Sequence, residues 1–292
     1  MSSLMMKSMT LVLRASKARA ARRFARTGGP GPVAAPAEPP ASLMKACVVT
    51  KRDFEGLPAY EIVPKNAPKP TKTLLYLHGG GYVSPILTAH WWLVHRLAVA
   101  NGIRVLVPFY QLAPKGTHRD AFPRLLRYYE KALTSAESVI IGGDSAGGGL
   151  ALALAAQIRE AGLTSPARLL LFAPWLDVTM KNPDIGDLAN TDPMLTLPRL
   201  IEAGRLWAGD DSPDLPSVSP INEDLAGLPP IEVFVGTNDM LVADCRKLAT
   251  KAGTPVVVHE YPGAFHVFIA VVLLPESRRA LAEVSAVIAS AG

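Results

Sequence analysis

A serine set between glycines constrains this chain more than any other feature: residues 143–148 read GDSAGG. A short apolar run, 138–142, precedes the motif, and an Ala/Leu-rich run without Gly or Pro, 150–159, follows it. This order predicts a strand, a tight turn and a helix. Such a turn presents the Ser145 hydroxyl at the carboxyl end of a sheet, beside helix N–H groups that favour an anion. Ordinary turns and phosphate loops use similar residues, so the motif alone leaves a purely structural interpretation open.

Predicted strands and helices alternate along most of the chain. The strands are expected at 46–50, 60–63, 73–77, 103–107, 139–141, 168–172, 231–235 and 256–261, and the helices at 89–100, 119–133, 150–161, 241–252 and 276–289. Strict alternation favours a mostly parallel sheet with helices on both faces. The alternation lapses between Phe172 and Ile231, where only 198–207 has a helical pattern. We therefore expect an insertion above the sheet at about 173–212.

The positive charge is concentrated at the amino end. Seven of the 30 basic residues precede Glu38, the first acid, which leaves 23 basic against 25 acidic residues in the remainder. A nearly neutral body argues against a nucleic-acid-binding domain. Residues 1–27 form a basic arm with scattered apolar residues, and 28–40 are a Pro/Gly linker. We expect residues 1–40 to be an arm that either joins the cap or directs targeting, and 41–292 to be the catalytic domain.

Other classes of protein are disfavoured by composition. No apolar run is long enough to span a bilayer without interruption, so no transmembrane segment is expected. Two cysteines, Cys47 and Cys245, give neither a disulfide framework nor zinc-ligand spacing. We expect two buried thiols and no metal site. A cytoplasmic location is expected, with organelle targeting through the basic arm as the alternative.

Three consecutive glycines follow the strand predicted at 73–77, in the sequence HGGG at residues 78–81. Such a run is costly in conformational entropy, which suggests that its backbone must approach a ligand closely. Backbone N–H groups in a loop of this kind can bind the oxyanion of an acyl-transfer intermediate. Beside a nucleophile turn, this interpretation is preferred to that of a flexible loop.

His266 is the candidate general base, because it alone among six histidines lies on a Gly/Pro loop after a predicted strand and follows the serine. The other histidines are expected in structural or surface positions: His78 bracing the glycine loop, His90 and His95 in a helix, His118 in a loop and His259 in a strand.

The orienting acid should follow a strand and precede the histidine, as Asp239 does. Asp244 is the rival, although its place in a helical pattern is more typical of a solvated or capping residue.

These motifs together resemble the hormone-sensitive-lipase-like branch of the α/β-hydrolases. The resemblance covers roughly residues 73–290 and rests on HGGG at 78–81, YQLAP at 110–114, GDSAG at 143–147, PWLD at 174–177, Ser-Pro at 219–220 and the Asp239 and His266 loops. It implies an α/β-hydrolase fold, with a mostly parallel central sheet, helices on both faces and a helical cap. It also implies a nucleophile at Ser145, a base at His266 and an acid at Asp239. The implied oxyanion hole consists of the backbone N–H groups of Gly80, Gly81 and Ala146.

The chain departs from the family around Tyr110. Phe109 and Gln111 stand where the family usually has an acid and an arginine, and Lys115 stands where it has a glutamate. We expect these changes to affect local ion pairing and the class of substrate rather than the triad.

The expected function is that of a serine carboxylic-ester hydrolase, a lipase-like carboxylesterase that works through an acyl-enzyme without a cofactor or metal. Its expected partner is a small-molecule ester rather than nucleic acid. The sequence leaves undecided whether the chain forms a homodimer. Apolar residues expected to cover the site favour uncharged acyl groups of short to medium length, although all of them could be core residues. They are Tyr82, Trp91, Trp175, Leu195, Trp207 and Phe268.

Two alternatives use the same scaffold. A lactone or amide hydrolase, or an acyltransferase, could carry the same triad, because the pocket chooses the acceptor. A non-catalytic ligand-binding protein is the other alternative, and the presence of His266 argues against it.

Overall fold

Eight strands form one sheet in the part of the chain that the computed structural model describes, residues 2–27 and 35–291. They are β1 (Cys47–Phe54), β2 (Leu57–Pro64), β3 (Lys72–Leu77), β4 (Arg104–Pro108), β5 (Ser138–Asp144), β6 (Arg168–Phe172), β7 (Ile231–Gly236) and β8 (Val256–Tyr261). Their order is β1-β2-β4-β3-β5-β6-β7-β8. Of these eight strands, β2 alone runs against the direction of the others, so the predicted mostly parallel sheet is confirmed.

Helices cover both faces of this sheet. They are α1 (Leu4–Thr27), α2 (Ala41–Ala46), α3 (Thr88–Asn101), α4 (His118–Leu133), α5 (Ala146–Glu160), α6 (Ile185–Thr191), α7 (Leu197–Ala208), α8 (Val242–Ala249) and α9 (Pro275–Ser290). Alternate side chains of β3 enter two different cores, Leu75 and Leu77 on the face of α4 and α5, and Leu74 and Tyr76 on the face of α3 and α9. Within the described ranges, no helix is long and apolar enough to cross a membrane.

The helix after the serine begins at Ala146 and not near Leu150, as the sequence predicted. Glycines in a first helical turn count against a helix in sequence-based prediction. Here they are required, because a Cβ on Gly147 would overlap the carbonyl oxygen of Leu77. Small residues therefore let β3, β5 and α5 meet at the turn that carries Ser145.

Other predictions were incomplete. The segment between β6 and β7 contains α6 as well as the predicted helix, α7, and α2 was not predicted at all. His118, expected in a loop, is the first residue of α4, and its Nε2 lies 2.9 Å from Asp211 Oδ2. Both cysteines are buried free thiols, as expected. Part of the predicted linker, 28–34, lies outside the described residues.

Candidate active site

Ser145 lies in a strained turn where β5 ends and α5 begins. Its φ of 52° and ψ of −122° fall in a region that side chains rarely adopt. Two backbone hydrogen bonds secure it: the Ser145 N–H donates to the Phe172 carbonyl at 2.9 Å, and the Trp175 N–H donates to the Ser145 carbonyl at 2.9 Å. The turn therefore fixes the direction of the Ser145 hydroxyl at the carboxyl end of the sheet.

The structure brings together the three side chains that the sequence singled out. Nε2 of His266 lies 2.9 Å from Oγ of Ser145, and Nδ1 lies 2.8 Å from Oδ2 of Asp239. The other carboxylate oxygen of Asp239 accepts the Leu241 N–H at 2.9 Å. With the ring proton on Nδ1 donated to Asp239, Nε2 is free to accept the proton of the serine hydroxyl.

Electrostatics around His266 favour its protonated form. Burial alone would lower the pKa of this imidazole, but the carboxylate of Asp239, with smaller contributions from Asp192 and Asp144, outweighs burial and raises the pKa above its usual value. A histidine with a raised pKa is a better proton acceptor, yet it must be neutral to act as a base. The site is thus suited to reactions above the ordinary pKa of histidine.

Three backbone N–H groups of the glycine loop and the serine turn have no protein acceptor among the described residues: those of Gly80, Gly81 and Ala146. Ala146 opens α5, so its N–H lies at the positive end of the helix. Gly80 and Gly81 have φ values of 125° and 62°, which glycine adopts without steric cost. A turn bonded from the Gly80 carbonyl to the Ser84 N–H, at 2.9 Å, holds this loop in shape.

A buried cluster joins the glycine loop to the serine turn. Asp144 accepts hydrogen bonds from the Tyr76 hydroxyl and, at 3.0 Å, from the Gly79 N–H, and its second oxygen lies 3.2 Å from Nε2 of His90. Burial would raise the pKa of Asp144, but His90, Tyr76 and Gly79 together lower it. Sequence reasoning placed His90 in a packing or surface position. Its contact with the middle of the serine motif makes it a brace for the loop.

Asp192 was also missed by sequence reasoning. Its side chain is buried and accepts backbone N–H groups from Met194 at 2.7 Å and Leu195 at 2.8 Å. Its second oxygen accepts the Met240 N–H at 3.0 Å, next to Asp239. Burial, and then the charge of Asp239, raise the pKa of Asp192. This residue therefore ties the insertion to the loop that carries the acid, and no motif could reveal it because its partner is 48 positions away.

Asp244, the rival acid, does not reach His266. It is buried rather than solvated, and its Oδ1 accepts a hydrogen bond from Nδ2 of Asn182 at 2.9 Å. Its Oδ2 has no hydrogen-bond partner in the described ranges. Burial raises the pKa of this carboxyl to about 6. The geometry therefore separates the two candidate acids.

Three of the expected pocket residues form one aromatic group. The ring of Tyr82 stacks on Trp207 at 4.3 Å between centroids and on Trp175 at 5.6 Å. All three are fully buried on the face of α4 and α5. Phe268 does not join them, because it packs in the core on the other face, with its ring 4.8 Å from that of Tyr261.

The arm, as far as it is described, lies against the catalytic end of the sheet. The Ser3 N–H donates to Oε1 of Glu276 at 2.6 Å, and Nζ of Lys17 donates to the carbonyl of Asp192 at 2.7 Å. Between these contacts, Met6 is completely buried in the core. One face of α1 thus packs beside the loops that carry the candidate acid and base.

No group of three or more potential metal ligands occurs in the residues that the structure describes. Each of the three side chains in the hydrogen-bonded line is 8% exposed or less. The arrangement therefore consists of a buried proton-transfer line beside backbone donors, which suits nucleophilic acyl transfer.

Comparison with known proteins identifies the family of this chain. The family described as alpha/beta hydrolase fold matches residues 74–270. An acetyl-hydrolase of Streptomyces hygroscopicus is 35% identical over 217 residues, which cover 72% of this chain and 73% of the relative. An esterase of Acinetobacter venetianus is 32% identical over 225 residues, or 74% of each chain.

Solved structures give the same result. The crystal structure of an esterase from the bacterial hormone-sensitive lipase family superimposes with a TM-score of 0.79 at 31% identity, covering 83% of this chain and 84% of that one. A hormone-sensitive lipase from a metagenome library superimposes with a TM-score of 0.83 at 26% identity over 99% and 98% of the two chains. The chain belongs to the α/β-hydrolase family, in its hormone-sensitive-lipase-like branch, and is an ester hydrolase.

Proposed function

We propose that this hydrolase cleaves esters through an acyl-enzyme on Ser145, with His266 as the general base and Asp239 as the residue that orients the imidazole. The observation that carries the proposal is the continuous hydrogen-bonded line from Ser145 Oγ through both ring nitrogens to Asp239, at 2.9 and 2.8 Å. These distances lie within the range required for proton transfer.

In the proposed reaction, Oγ of Ser145 attacks the ester carbonyl while its proton moves to Nε2 of His266. The tetrahedral oxyanion is stabilised by the N–H groups of Gly80, Gly81 and Ala146, which have no competing protein acceptor among the described residues. Collapse of this intermediate breaks the bond to the alcohol, which leaves with the proton from His266. Water then attacks the acyl-enzyme, again with His266 as base; the second tetrahedral intermediate collapses, the bond to Oγ of Ser145 breaks, His266 returns its proton to Oγ, and the carboxylic acid departs.

The proposed substrate class is an ester with an uncharged acyl group of short to medium length. The aromatic group of Tyr82, Trp175 and Trp207 is fully buried beside the serine turn, to which the Trp175 N–H is bonded, and its rings make the wall behind that turn apolar. An uncharged acyl chain gains from contact with such surface, whereas a charged one would lose its hydration. The name of the Streptomyces relative, acetyl-hydrolase, agrees with the short end of this range.

We assign the cap to two segments, the insertion at about 173–212 and the arm within 1–40, above a catalytic domain of 41–292. Lys17 links them, since it binds the carbonyl of Asp192 at the end of α6. A cover of this kind excludes water from the reacting groups and adds apolar area for longer acyl chains.

A chain-length series of p-nitrophenyl esters, from acetate to octanoate, tests this proposal alongside a lactone and an acetylated sterol. We expect activity on the shorter p-nitrophenyl esters and a loss of about 10⁴-fold in kcat for Ser145→Ala. Ser138→Ala is the matched control, because this serine starts the same strand at its other end. Preferred turnover of the lactone would instead support the alternative hydrolase, and substantial hydrolysis by Ser145→Ala would refute the nucleophile.

A further inference from the structure

The outer face of α1 carries an arrangement of side chains that packing within the chain does not explain. Residues spaced to share one side of a helix point away from the body and are exposed. This outer face consists of Leu4, Met5, Ser8, Leu11, Val12, Ala15, Arg19 and Arg22. Its first half is apolar and its second half is basic.

The apolar half of the outer face is unusually open to solvent. Leu4 is 81% exposed, Leu11 65% and Val12 60%. The opposite face of the same helix already supplies Met6 to the core, and Lys17 binds the insertion. The outer apolar residues therefore belong to a second contact surface rather than to a loosely packed first one.

The charge of the helix specifies what covers this surface. Residues 1–37 contain no acid, and α1 carries seven basic residues. On the outer face, Arg19 and Arg22 are exposed and lie beyond the apolar half. Apolar side chains beside cations suit the boundary between acyl chains and anionic headgroups of a lipid surface, in which a helix lies flat.

The orientation of α1 connects this surface to the ester site. The inner face is tied at one end to Glu276, at the start of α9, and at the other end to Asp192, which also binds the backbone next to Asp239. Leu273, which lies three residues before Glu276, is another apolar side chain that is 65% exposed. A lipid layer on the outer face would thus lie over the catalytic end of the sheet.

We propose that the outer face of α1 docks the protein on an anionic phospholipid surface and so presents its catalytic end to esters held in that surface. The docking does not depend on the triad assignment, whereas the benefit for hydrolysis rests on the proposed function. Basic side chains attract the headgroups over a distance limited by salt, and the apolar side chains then insert.

Sedimentation of the full-length protein with vesicles tests the docking. Vesicles of phosphatidylcholine that contain about 30% phosphatidylglycerol are compared with vesicles of phosphatidylcholine alone. We expect binding to the anionic vesicles that is about tenfold stronger and that falls as salt is raised. Leu11→Gln/Val12→Gln and, separately, Arg19→Gln/Arg22→Gln should each weaken this binding by about tenfold or more. Glutamine favours helix, and all four side chains are exposed, so the fold should persist in a thermal melt.

Met44→Gln/Val48→Gln is the matched control. These residues are 51% and 54% exposed, and they lie at the end of the sheet opposite the candidate site, because β1 begins beside the end of the antiparallel β2. We expect the control to bind vesicles as the wild type does. Equal binding by the Leu11/Val12 variant and the wild type, or equal loss in the control, would overturn the proposal.

Two further measurements separate lipid docking from self-association and from the proposed function. Light scattering that finds a dimer, which Leu11→Gln/Val12→Gln converts to a monomer, would identify the outer face as a self-interface and overturn lipid docking. Hydrolysis of soluble p-nitrophenyl acetate should be the same in that variant and the wild type. A wild type that binds vesicles but hydrolyses no ester would uphold the docking and refute only the proposed function, and the reverse result would refute only the docking.

Discussion

Asp239→Asn changes one atom of the candidate triad and leaves its size unchanged. Both oxygens of this fully buried carboxylate are used, Oδ2 at 2.8 Å from Nδ1 of His266 and Oδ1 by the Leu241 N–H at 2.9 Å. An asparagine that keeps the bond to Leu241 must present its NH₂ group to His266. The imidazole then accepts at Nδ1 and carries its proton on Nε2, so it cannot take the proton of Ser145.

The cost follows from the loss of the correct tautomer. We expect kcat to fall by about 10⁴-fold, which corresponds to about 5.5 kcal/mol of transition-state stabilisation. Hydrolysis of p-nitrophenyl acetate at saturating substrate measures this loss. Circular dichroism and a thermal melt show whether the variant is folded.

Asp244→Asn is the matched control, because this aspartate is also fully buried, only five positions further along, but is bonded to Asn182. We expect its kcat to stay within about twofold of the wild type, since it does not touch the proton-transfer line. Its effect on stability should be positive. Burial raises the pKa of Asp244 to about 6, so ionisation of this carboxyl opposes folding as the pH rises towards and beyond that value.

The size of that stabilisation depends on pH. From an unfolded value of about 3.9, removal of the charge should raise the free energy of unfolding by up to about 3 kcal/mol at pH 8 and by about half as much at pH 5. Urea unfolding at the two pH values measures both figures. A kcat loss of about 10⁴-fold in Asp244→Asn, with Asp239→Asn close to the wild type, would refute the assignment of the acid.

Three other predictions concern the surroundings of the triad. The value of kcat/KM should rise with pH through one ionisation, with its midpoint above about 6.5, because the pKa of His266 is raised and the reaction needs the neutral imidazole. A flat profile from pH 5 to 9 would rule out a histidine base. Asp192→Asn should lower that midpoint, since a negative charge near His266 is lost, and an unchanged midpoint would contradict this effect. Lys17→Met breaks the link between the arm and the insertion, so it should raise KM for the octanoate ester by about tenfold and leave KM for the acetate ester nearly unchanged. An equal change in both KM values would argue against a cap role for the arm.

The fold and the candidate site were predictable where function imposes a local pattern. The serine turn requires small residues, because strand, turn and helix meet there, and the structure shows no room for a side chain at Gly147. The same need for small residues explains the loop of consecutive glycines at 79–81. Chain order then selected His266 and placed Asp239 ahead of Asp244, and in the structure His266 lies between Ser145 and Asp239.

The remaining features depend on contacts between distant parts of the chain. Asp192 receives its hydrogen bond from the backbone of Met240, and a backbone donor leaves no trace in the choice of residue. His90 reaches Asp144 only because α3 folds beneath the glycine loop. The sequence does not distinguish an aromatic residue of a pocket from one of the core. For this reason Phe268 was grouped with Tyr82, although it packs on the other face of the sheet.

Covalent labelling with a fluorophosphonate tests the proposed nucleophile most directly. The probe reacts with an activated serine and forms a stable adduct, which intact-protein mass and peptide mapping locate. We predict one adduct on Ser145 in the wild type and in Ser138→Ala, none in Ser145→Ala, and labelling that rises with pH as His266 becomes neutral. An adduct on a different serine, or undiminished labelling of folded Ser145→Ala, would contradict the account.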